Sequence, residues 1–268
     1  MSLTRDLELA ETIALEASEI LMRYFRGDYS VDTKADEEPV TEADRAANEH
    51  IVARLQELFP DDGILAEESA DPAAIVGKQR VWMVDPMDGT KEFTKHLSEF
   101  AVMIGLVVEG TPVLGVVAQP AEETLYRGIV GEGAERVQPS GVDTMRVGTT
   151  TELAELTLIC SRSHLPEIVE RMKHELGISR MVQSGSVGLK IGKIGTGVCD
   201  LYLQPASGTK LWDACAPEAI LHAAGGRLTD FDGRPIDYDP SDIVNRRGLL
   251  GSNGTRHDDL VRRLHGYF

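Results

Sequence analysis

The 268-residue chain has little cysteine, no long uninterrupted apolar stretch and a shortage of positive charge. Its three cysteines, Cys160, Cys199 and Cys215, form no Cys-x-x-Cys pair, which excludes a zinc ribbon. An odd number of cysteines also argues against a disulfide framework. We therefore expect three buried thiols in a reducing cytoplasm.

The longest apolar stretch, AVMIGLVVEGTPVLGVVA, is interrupted by Glu109, Gly110 and Pro112. A helix that crosses a bilayer needs about 20 consecutive apolar residues, so no membrane span is expected here. The N-terminal MSLTRDLELAETIALEASEI carries acidic residues throughout and has no continuous apolar core, which is not typical of a signal peptide.

Positive charge is scarce: the chain has 27 lysines and arginines but 44 aspartates and glutamates, which gives a net charge of −17. Such a surface repels nucleic acid at long range, so no nucleic-acid partner is expected. An anionic small molecule would need cations at its own site. Surface charges beyond the Debye length of about 8 Å contribute little.

The chain does contain an ordered series of helix and strand patterns. Helical spacing runs from Leu7 to Phe25 and from Thr41 to Leu58, with DTKADEEPV between them as a predicted loop. Strand patterns follow at residues 64–66, 81–84, 101–108, 113–118, 125–130 and 134–137. Beyond them, predicted strands at 157–160, 181–183, 201–203 and 227–229 alternate with predicted helices at 166–176, 187–194 and 214–224.

Composition near residue 140 turns to proline, serine, glycine and aspartate, and we place a boundary there. Residues 1–140 are predicted to form an α+β subdomain with two helices and an antiparallel sheet. Residues 141–268 are predicted to form an α/β subdomain that carries Asp213. The fold class is therefore α/β, built from layers of helices and sheets.

The stretch WMVDPMDGTKEF, residues 82–93, ends an apolar strand on two carboxylates, Asp85 and Asp88. Pro86 disfavours helix at Asp85. A lone Asp-Gly-Thr is commonly a strand-to-helix turn, in which Thr90 would cap the helix. The alternative is a divalent-cation site, because hard ions such as Mg²⁺ prefer carboxylate and carbonyl oxygens.

Two further acidic clusters favour the cation site. Glu67 and Glu68 follow the apolar residues of ILAEES, and Asp213 follows Trp212 in LWDACAPEAIL. Taken singly, Glu68 is typical of a surface residue and Asp213 of a helix N-cap. Three acidic clusters at the ends of apolar elements together indicate a two-metal site that clamps a phosphoryl group. The DxxDGT spacing, with Pro86, is one residue longer than the DxDGT of haloacid-dehalogenase-type phosphatases, so no aspartyl-phosphate intermediate is assigned.

AEES, WMVDPMDGT and LWDACAPEAI, in this order, resemble the inositol monophosphatase superfamily of Mg²⁺-dependent, Li⁺-sensitive phosphatases. The resemblance covers nearly the whole chain and implies an inositol monophosphatase/fructose-1,6-bisphosphatase-like fold, an αβαβα layered sandwich. DGTKEF, SRSH and GTKLWDACAPEAILHAAGG are similar to its 3′(2′),5′-bisphosphate nucleotidase branch. Inositol monophosphatases more often read DGTTNF.

The resemblance implies a role for each acidic residue and a cofactor of two or three Mg²⁺ ions. Glu67, counted with the catalytic residues, would bind the first ion together with the carbonyl oxygen of Met87. Asp85 would bridge two ions. Asp88 and Asp213 would hold the second ion.

PVTEAD matches the PVTxAD motif of the family, which implies that Asp44, with Thr90, positions and deprotonates the attacking water. From the residues alone, Thr41 and Asp44 equally well form a capping-box-like helix start, and both interpretations stay open. Lys34 fits a lysine that the family has near its metals. An anionic substrate is then expected to bind because metals cancel the charge of the site acids and local cations come from Lys34, Lys91, Lys190 and Lys210.

The resemblance also implies a set of substrate contacts. GSVGLK is one residue longer than the commoner bacterial form, which affects the alignment of Ser186. From the residues alone, the alternative for His164 is a loop histidine at a helix start, and the alternative for Lys190 is a solvated helix lysine. The implied substrate contacts are Gly89, Thr90, Ser161, His164, Ser186, Lys190 and Asp213.

The expected function is removal of the 3′-phosphate from adenosine 3′,5′-bisphosphate by metal-activated water, giving AMP and phosphate, with the sulfated form as a further substrate. This activity belongs to sulfur metabolism. One alternative is an inositol or other sugar-phosphate phosphatase of the same superfamily, and another is a non-catalytic, metal-binding regulatory protein. The expected partner is a small phosphorylated nucleotide, and both a monomer and a homodimer remain open.

Overall fold

The computed structural model describes residues 2–27, 31–33, 39–163, 165–205 and 208–267. The first half contains α1 (Leu3–Phe25), β1 (Val31–Thr33), β2 (Pro39–Thr41), α2 (Glu42–Leu58), β3 (Gly63–Ala66), β4 (Arg80–Asp88), α3 (Thr90–Thr94), β5 (Ala101–Val108), β6 (Thr111–Gln119), β7 (Thr124–Ile129) and β8 (Gly133–Gln138). The second half contains β9 (Gly141–Met145), β10 (Thr157–Ser161), α4 (Glu167–Glu175), β11 (Arg180–Ser184), α5 (Val187–Gly195), β12 (Leu201–Gln204), α6 (Leu211–Ala223), β13 (Arg227–Thr229), β14 (Leu249–Ser252) and α7 (His257–Leu264).

The larger sheet has the strand order β3-β4-β5-β6-β7-β8-β9. Only the β3–β4 pair is parallel among these described strands, and the others are antiparallel. Both faces of β5 are buried, which explains its nearly continuous apolar sequence. Val102 and Ile104 pack with residues of α1 and α2, whereas Ala101 and Met103 pack with residues of α5 and α6.

The smaller sheet has the strand order β11-β10-β12-β14-β13. Its inner face shares an apolar cluster with α5, α6 and β4, to which Met83, Ile191 and Tyr202 belong. Its outer face packs against α4 and α7 through residues such as Met172 and Leu260. The layers are therefore helices, sheet, helices, sheet, helices, which confirms the predicted αβαβα sandwich.

Two glycines let α6 lie directly against the larger sheet. A Cβ atom at Gly105 would stand 2.6 Å from Sγ of Cys215, and one at Gly115 would stand 2.3 Å from the carbonyl oxygen of Ala216. Any side chain at these positions would push α6 away from the sheet. This close packing fixes the start of α6, where Asp213 lies.

Several elements differ from the sequence predictions. Part of the predicted loop DTKADEEPV pairs as antiparallel strands β1 and β2. The strand predicted at 81–84 continues to Asp88, with a register irregularity after Asp85. β14 and α7 were not predicted. β9 joins the larger sheet just beyond residue 140, and the division into subdomains at that residue stays a prediction.

Cys160, Cys199 and Cys215 are buried and free, as expected. Among the residues that the structure describes, no helix is long and apolar enough to cross a membrane.

Candidate active site

The predicted acidic residues meet at one edge of the larger sheet. Asp85 and Asp88 lie at the carboxyl end of β4, and Glu67 follows β3 directly. Because β3 and β4 are parallel, their carboxyl ends lie at the same edge. Asp213 reaches this edge from the first turn of α6. All four, together with Met87, line one cavity of about 590 Å³.

The charges of these carboxylates repel one another in a buried position. Burial raises the pKa of Asp85 well above its usual range, and the charges of Glu67, Asp88 and Asp213 raise it further. Burial also raises the pKa of Asp213, although the backbone N–H of Lys210 donates to its Oδ2 at 2.6 Å. Repulsion within the ionised cluster raises the free energy of the folded protein, and a bound cation would offset that increase.

The donor set fits a hard divalent cation. Carboxylate oxygens and the Met87 carbonyl are the ligands that Mg²⁺ prefers. Among the residues described, no group of three or more acidic, histidine or cysteine side chains is arranged so that it could hold a metal ion as it stands. The fit therefore rests on the chemistry of the donors and on the repulsion between them.

Asp44 connects the start of α2 to this cluster. Its Oδ2 accepts the backbone N–H and the hydroxyl of Thr41, each at 2.6 Å, and its Oδ1 accepts the Thr90 hydroxyl at 3.1 Å. Burial raises the pKa of Asp44 to about 6. The capping box and the contact with Thr90 coexist in one carboxylate, and the catalytic role of Asp44 stays a prediction.

Thr90 is not the N-cap of the following helix, contrary to the sequence prediction. Gly89 occupies that position with a φ of 101°, and Thr90 is the first helical residue. A Cβ atom at residue 89 would stand 2.8 Å from the Glu99 carbonyl oxygen. Glycine is therefore required both by the positive φ and by this close approach. The Thr90 hydroxyl is thereby left to bridge Asp44 and the carbonyl oxygen of Met87, which lies 3.2 Å away.

The predicted substrate residues of the second half lie partly in the same cavity. Ser161, Ser186 and Lys190 line it, together with Gly89, Thr90 and Asp213. Lys190 is not a solvated helix lysine: only 3% of it is exposed, and burial lowers its pKa. Its Nζ lies 3.4 Å from the Ser184 carbonyl oxygen and 5.6 Å from the centre of the Tyr202 ring.

Of the lysines expected to supply positive charge, Lys91 and Lys210 also line the cavity. His164 and Lys34 lie outside the described residues.

Sequence reasoning missed a set of contacts that join the two halves beside the cavity. Ser163 donates a hydrogen bond to the buried Glu92 at 2.5 Å. Glu99 accepts from the Arg162 guanidinium and, at 2.9 Å, from the backbone N–H of Gly185. The only available signal was the position of Glu92 and Glu99 beside the acidic motif, which does not identify their partners.

Comparison with known proteins identifies relatives along the whole chain. The inositol monophosphatase family model matches residues 2–267. The 3′(2′),5′-bisphosphate nucleotidase CysQ of Escherichia coli is 36% identical over 243 residues, which cover 88% of this chain and 95% of that protein. A histidinol-phosphatase of Mycobacterium tuberculosis is 31% identical, with 97% of each chain covered. The crystal structure of CysQ from Bacteroides thetaiotaomicron is 30% identical and covers 93% of this chain and 97% of that one, with a TM-score of 0.78.

Proposed function

The chain belongs to the inositol monophosphatase family, and from this premise we propose that it removes the 3′-phosphate from adenosine 3′,5′-bisphosphate, giving AMP and phosphate. That it is a phosphatase of this superfamily follows from its bisphosphate nucleotidase relatives and from its fold. The specific substrate is our proposal. It is supported by the CysQ relatives and by the DGTKEF and SRSH motifs.

One observation carries the proposal: a single cavity joins the acidic cluster to a buried lysine. Asp85, Asp88, Asp213 and Lys190 all line this cavity. A substrate with two phosphates could place the reacting phosphate at the acidic cluster and the other at Lys190. A cation buried beside a cavity is well suited to a phosphate, because a charge-assisted hydrogen bond is stronger where water is excluded.

We propose Mg²⁺ as the cofactor, since enzymes of this family are generally metal-dependent. Glu67, Asp85 and the Met87 carbonyl would hold one ion, and Asp85, Asp88 and Asp213 a second. Bound Mg²⁺ would place positive charge beside the phosphoryl group and make a nearby water more acidic. Lithium sensitivity, at the position of Asp88 and Asp213, is part of the same proposal.

Asp44 and Thr90 provide the base for the reaction. With a pKa raised to about 6, the Asp44 carboxylate is mostly ionised at neutral pH and still basic enough to take a proton. The Thr90 hydroxyl donates to Asp44, so its lone pairs can accept a proton from the attacking water while its own proton moves to Oδ1. The hydrogen bonds from Thr41 to Oδ2 hold the carboxylate in this orientation.

A second candidate substrate is histidinol phosphate. Histidinol-phosphatases are among the relatives, at 32% and 31% identity. Glu92, which is 5% exposed and lines the cavity, could accept a hydrogen bond from an amine of the substrate. The acidic Glu92 and the basic Lys190 therefore favour different substrates, and only a comparison of rates separates them.

A phosphate-release assay with Mg²⁺ tests the proposal. Adenosine 3′,5′-bisphosphate, histidinol phosphate, inositol 1-phosphate and fructose 1,6-bisphosphate are compared by kcat/KM. We expect adenosine 3′,5′-bisphosphate to be preferred over the two monophosphates, histidinol phosphate and inositol 1-phosphate, by about tenfold or more, the value of one charge-assisted phosphate contact. A higher kcat/KM for any other ester would reassign the substrate, and no turnover on any would favour the non-catalytic, metal-binding role.

Cytoplasmic location and a role in sulfur metabolism complete the proposal. The buried free thiols Cys160, Cys199 and Cys215 support a reducing compartment. The CysQ relatives support the metabolic role.

A further inference from the structure

The Asp88 carboxylate is held by the start of a helix from the other half of the chain. Its Oδ2 accepts hydrogen bonds from the Ser186 hydroxyl at 2.7 Å, from the Val187 backbone N–H and from the Gly188 backbone N–H at 3.2 Å. Val187 and Gly188 are the first residues of α5. A helix N-terminus favours a negatively charged partner, so this contact holds the Asp88 carboxylate in one orientation.

Ser186 has an unusual backbone conformation at this contact. Its φ is 49° and its ψ is 132°, a region that L-residues rarely occupy, and it is 4% exposed. Its hydroxyl oxygen accepts the Leu189 N–H at 3.2 Å while the hydroxyl donates to Asp88. The same side chain therefore caps α5 and binds the acidic cluster.

The residue before Ser186 is fixed to the first half as well. Gly185 donates its backbone N–H to Glu99, and a Cβ atom at residue 185 would stand only 2.4 Å from the Glu99 carbonyl oxygen. The conformation of Ser186 is thus held on both sides, by Glu99 through Gly185 and by Asp88 through the hydroxyl.

We propose that Ser186 is a positioning residue for the second cation, acting through Asp88, rather than a direct contact to the substrate. This inference rests on the proposed function, because it assumes that Asp88 binds Mg²⁺. With Oδ2 held by α5, Oδ1 is the oxygen that we expect the ion to take. The hydroxyl of Ser186 contributes one of the three hydrogen bonds that fix this arrangement, and such partners of metal-binding carboxylates typically change metal affinity by about 10–100-fold.

The two roles of Ser186 predict different measurements. A positioning residue affects the Mg²⁺ affinity and leaves the substrate KM nearly unchanged once Mg²⁺ is saturating. A substrate contact raises the KM at saturating Mg²⁺ and leaves the Mg²⁺ affinity unchanged.

The test uses the full chain with Ser186→Ala and Ser186→Gly, and Mg²⁺ titrated alone by calorimetry. Both variants lack the hydroxyl, but glycine accepts the positive φ, so Ser186→Gly keeps the test decisive if the alanine variant fails to fold. Thr196→Val is the matched control, because its hydroxyl donates to the Gly192 carbonyl near the other end of α5. We expect Mg²⁺ affinity to fall about tenfold in both Ser186 variants and to be unchanged in the control.

Steady-state kinetics on the same proteins completes the test. The Mg²⁺ concentration for half-maximal rate should rise by the same factor, with a substrate KM within about twofold of wild type at saturating Mg²⁺. Wild-type Mg²⁺ affinity in both Ser186 variants would overturn the inference and leave the proposed function standing. If the wild-type protein itself binds no Mg²⁺, the proposed function fails and the inference fails with it.

Discussion

At the scale of the residue, Asp44 shows why a motif alone does not assign a role. PVTEAD predicts a capping box and a catalytic base equally well, and the structure gives Asp44 hydrogen bonds to both Thr41 and Thr90. Capping depends on residues three apart, which a sequence shows. The contact with Thr90 joins residues far apart in the chain, which only the fold brings together.

Replacing Asp44 with asparagine separates these roles. Asp44→Asn keeps an acceptor for Thr41 but removes the base, so kcat should fall by about a hundredfold or more. The Mg²⁺ affinity, measured by calorimetry, should be nearly unchanged. Asp85→Asn is the comparison, since it should lose metal binding as well as activity. An Asp44→Asn enzyme with wild-type kcat would reduce Asp44 to a helix-capping residue.

Lys190 gives the second prediction at this scale. Lys190→Ala should raise the KM for adenosine 3′,5′-bisphosphate by about one to two decades, because a charge-assisted phosphate contact contributes about 1.5–3 kcal/mol. The rate on a simple aryl phosphate should stay nearly the same. Lys193→Ala is the matched control, because Lys193 lies on the same helix and donates to the Ser184 hydroxyl. Equal losses on both substrates would mean that Lys190 supports the fold or the reacting phosphate.

At the scale of the element, α6 carries a buried acid outside the cation cluster. Glu218 is 3% exposed and accepts a hydrogen bond from the Tyr238 hydroxyl at 2.6 Å. Further titratable groups near it are His222, whose Nδ1 lies 3.9 Å from Oε1 of Glu218, and Cys215. Burial raises the pKa of Glu218 from 4.5 to about 7, so the folded protein favours the protonated acid.

This shift predicts a pH-dependent stability. Protonated Glu218 contributes to the free energy of unfolding. This contribution is fully present below pH 4.5 and is lost as the pH rises to about 7. The loss is about 3 kcal/mol, at about 1.4 kcal/mol per pH unit. Glu218→Gln removes this dependence, so urea unfolding should show the variant gaining stability relative to wild type between pH 5 and pH 8.

The exposed Tyr267–Glu175 pair supplies the matched control for this experiment, because it makes the same type of hydrogen bond at the surface. Glu175→Gln should show no comparable difference between pH 5 and pH 8. A constant difference between wild type and Glu218→Gln across this range would contradict the raised pKa of Glu218.

At the scale of the whole molecule, the acidic cluster lies where the two halves of the chain meet. Glu67, Asp85 and Asp88 come from the larger sheet and its loops, and Asp213 comes from α6, which lies between the sheets. Cations that bind there should stabilise the entire fold, since they offset repulsion between groups from both halves.

Thermal unfolding with and without Mg²⁺ tests this expectation. At a Mg²⁺ concentration of about 100 times Kd, binding should stabilise the folded chain by about 2.7 kcal/mol and raise Tm by several degrees. EDTA should reverse the increase, and Asp85→Asn should abolish it. Asp143→Asn, at an exposed ion pair with Arg136, is the control that should keep the full increase. An unchanged increase in Asp85→Asn would place the Mg²⁺ elsewhere.

The sequence by itself determined most of the elements and the identity of the acidic cluster. The continuous apolar sequence of β5 reflects burial of both its faces, and the periodic apolar residues of α1 reflect burial of one face. Both patterns are visible within the element itself. α7 was missed because charged residues dominate HDDLVRRL, although His257, Leu260 and Leu264 are buried at helical spacing. β14 was missed because it is short and because Gly251 interrupts its apolar pattern. Glycine is present there because neighbouring side chains occupy the space that a Cβ atom would need.

Only the tertiary structure decided how the site is held together. The hydrogen bonds of Asp88 to Ser186, of Glu99 to Gly185 and of Thr90 to Asp44 join segments distant in sequence. A sequence pattern shows which positions are apolar and which are polar. It therefore indicates which face of a helix or strand is buried. A polar side chain in a buried cavity takes its partner from whichever element packs opposite, so its role depends on the packing of the two halves.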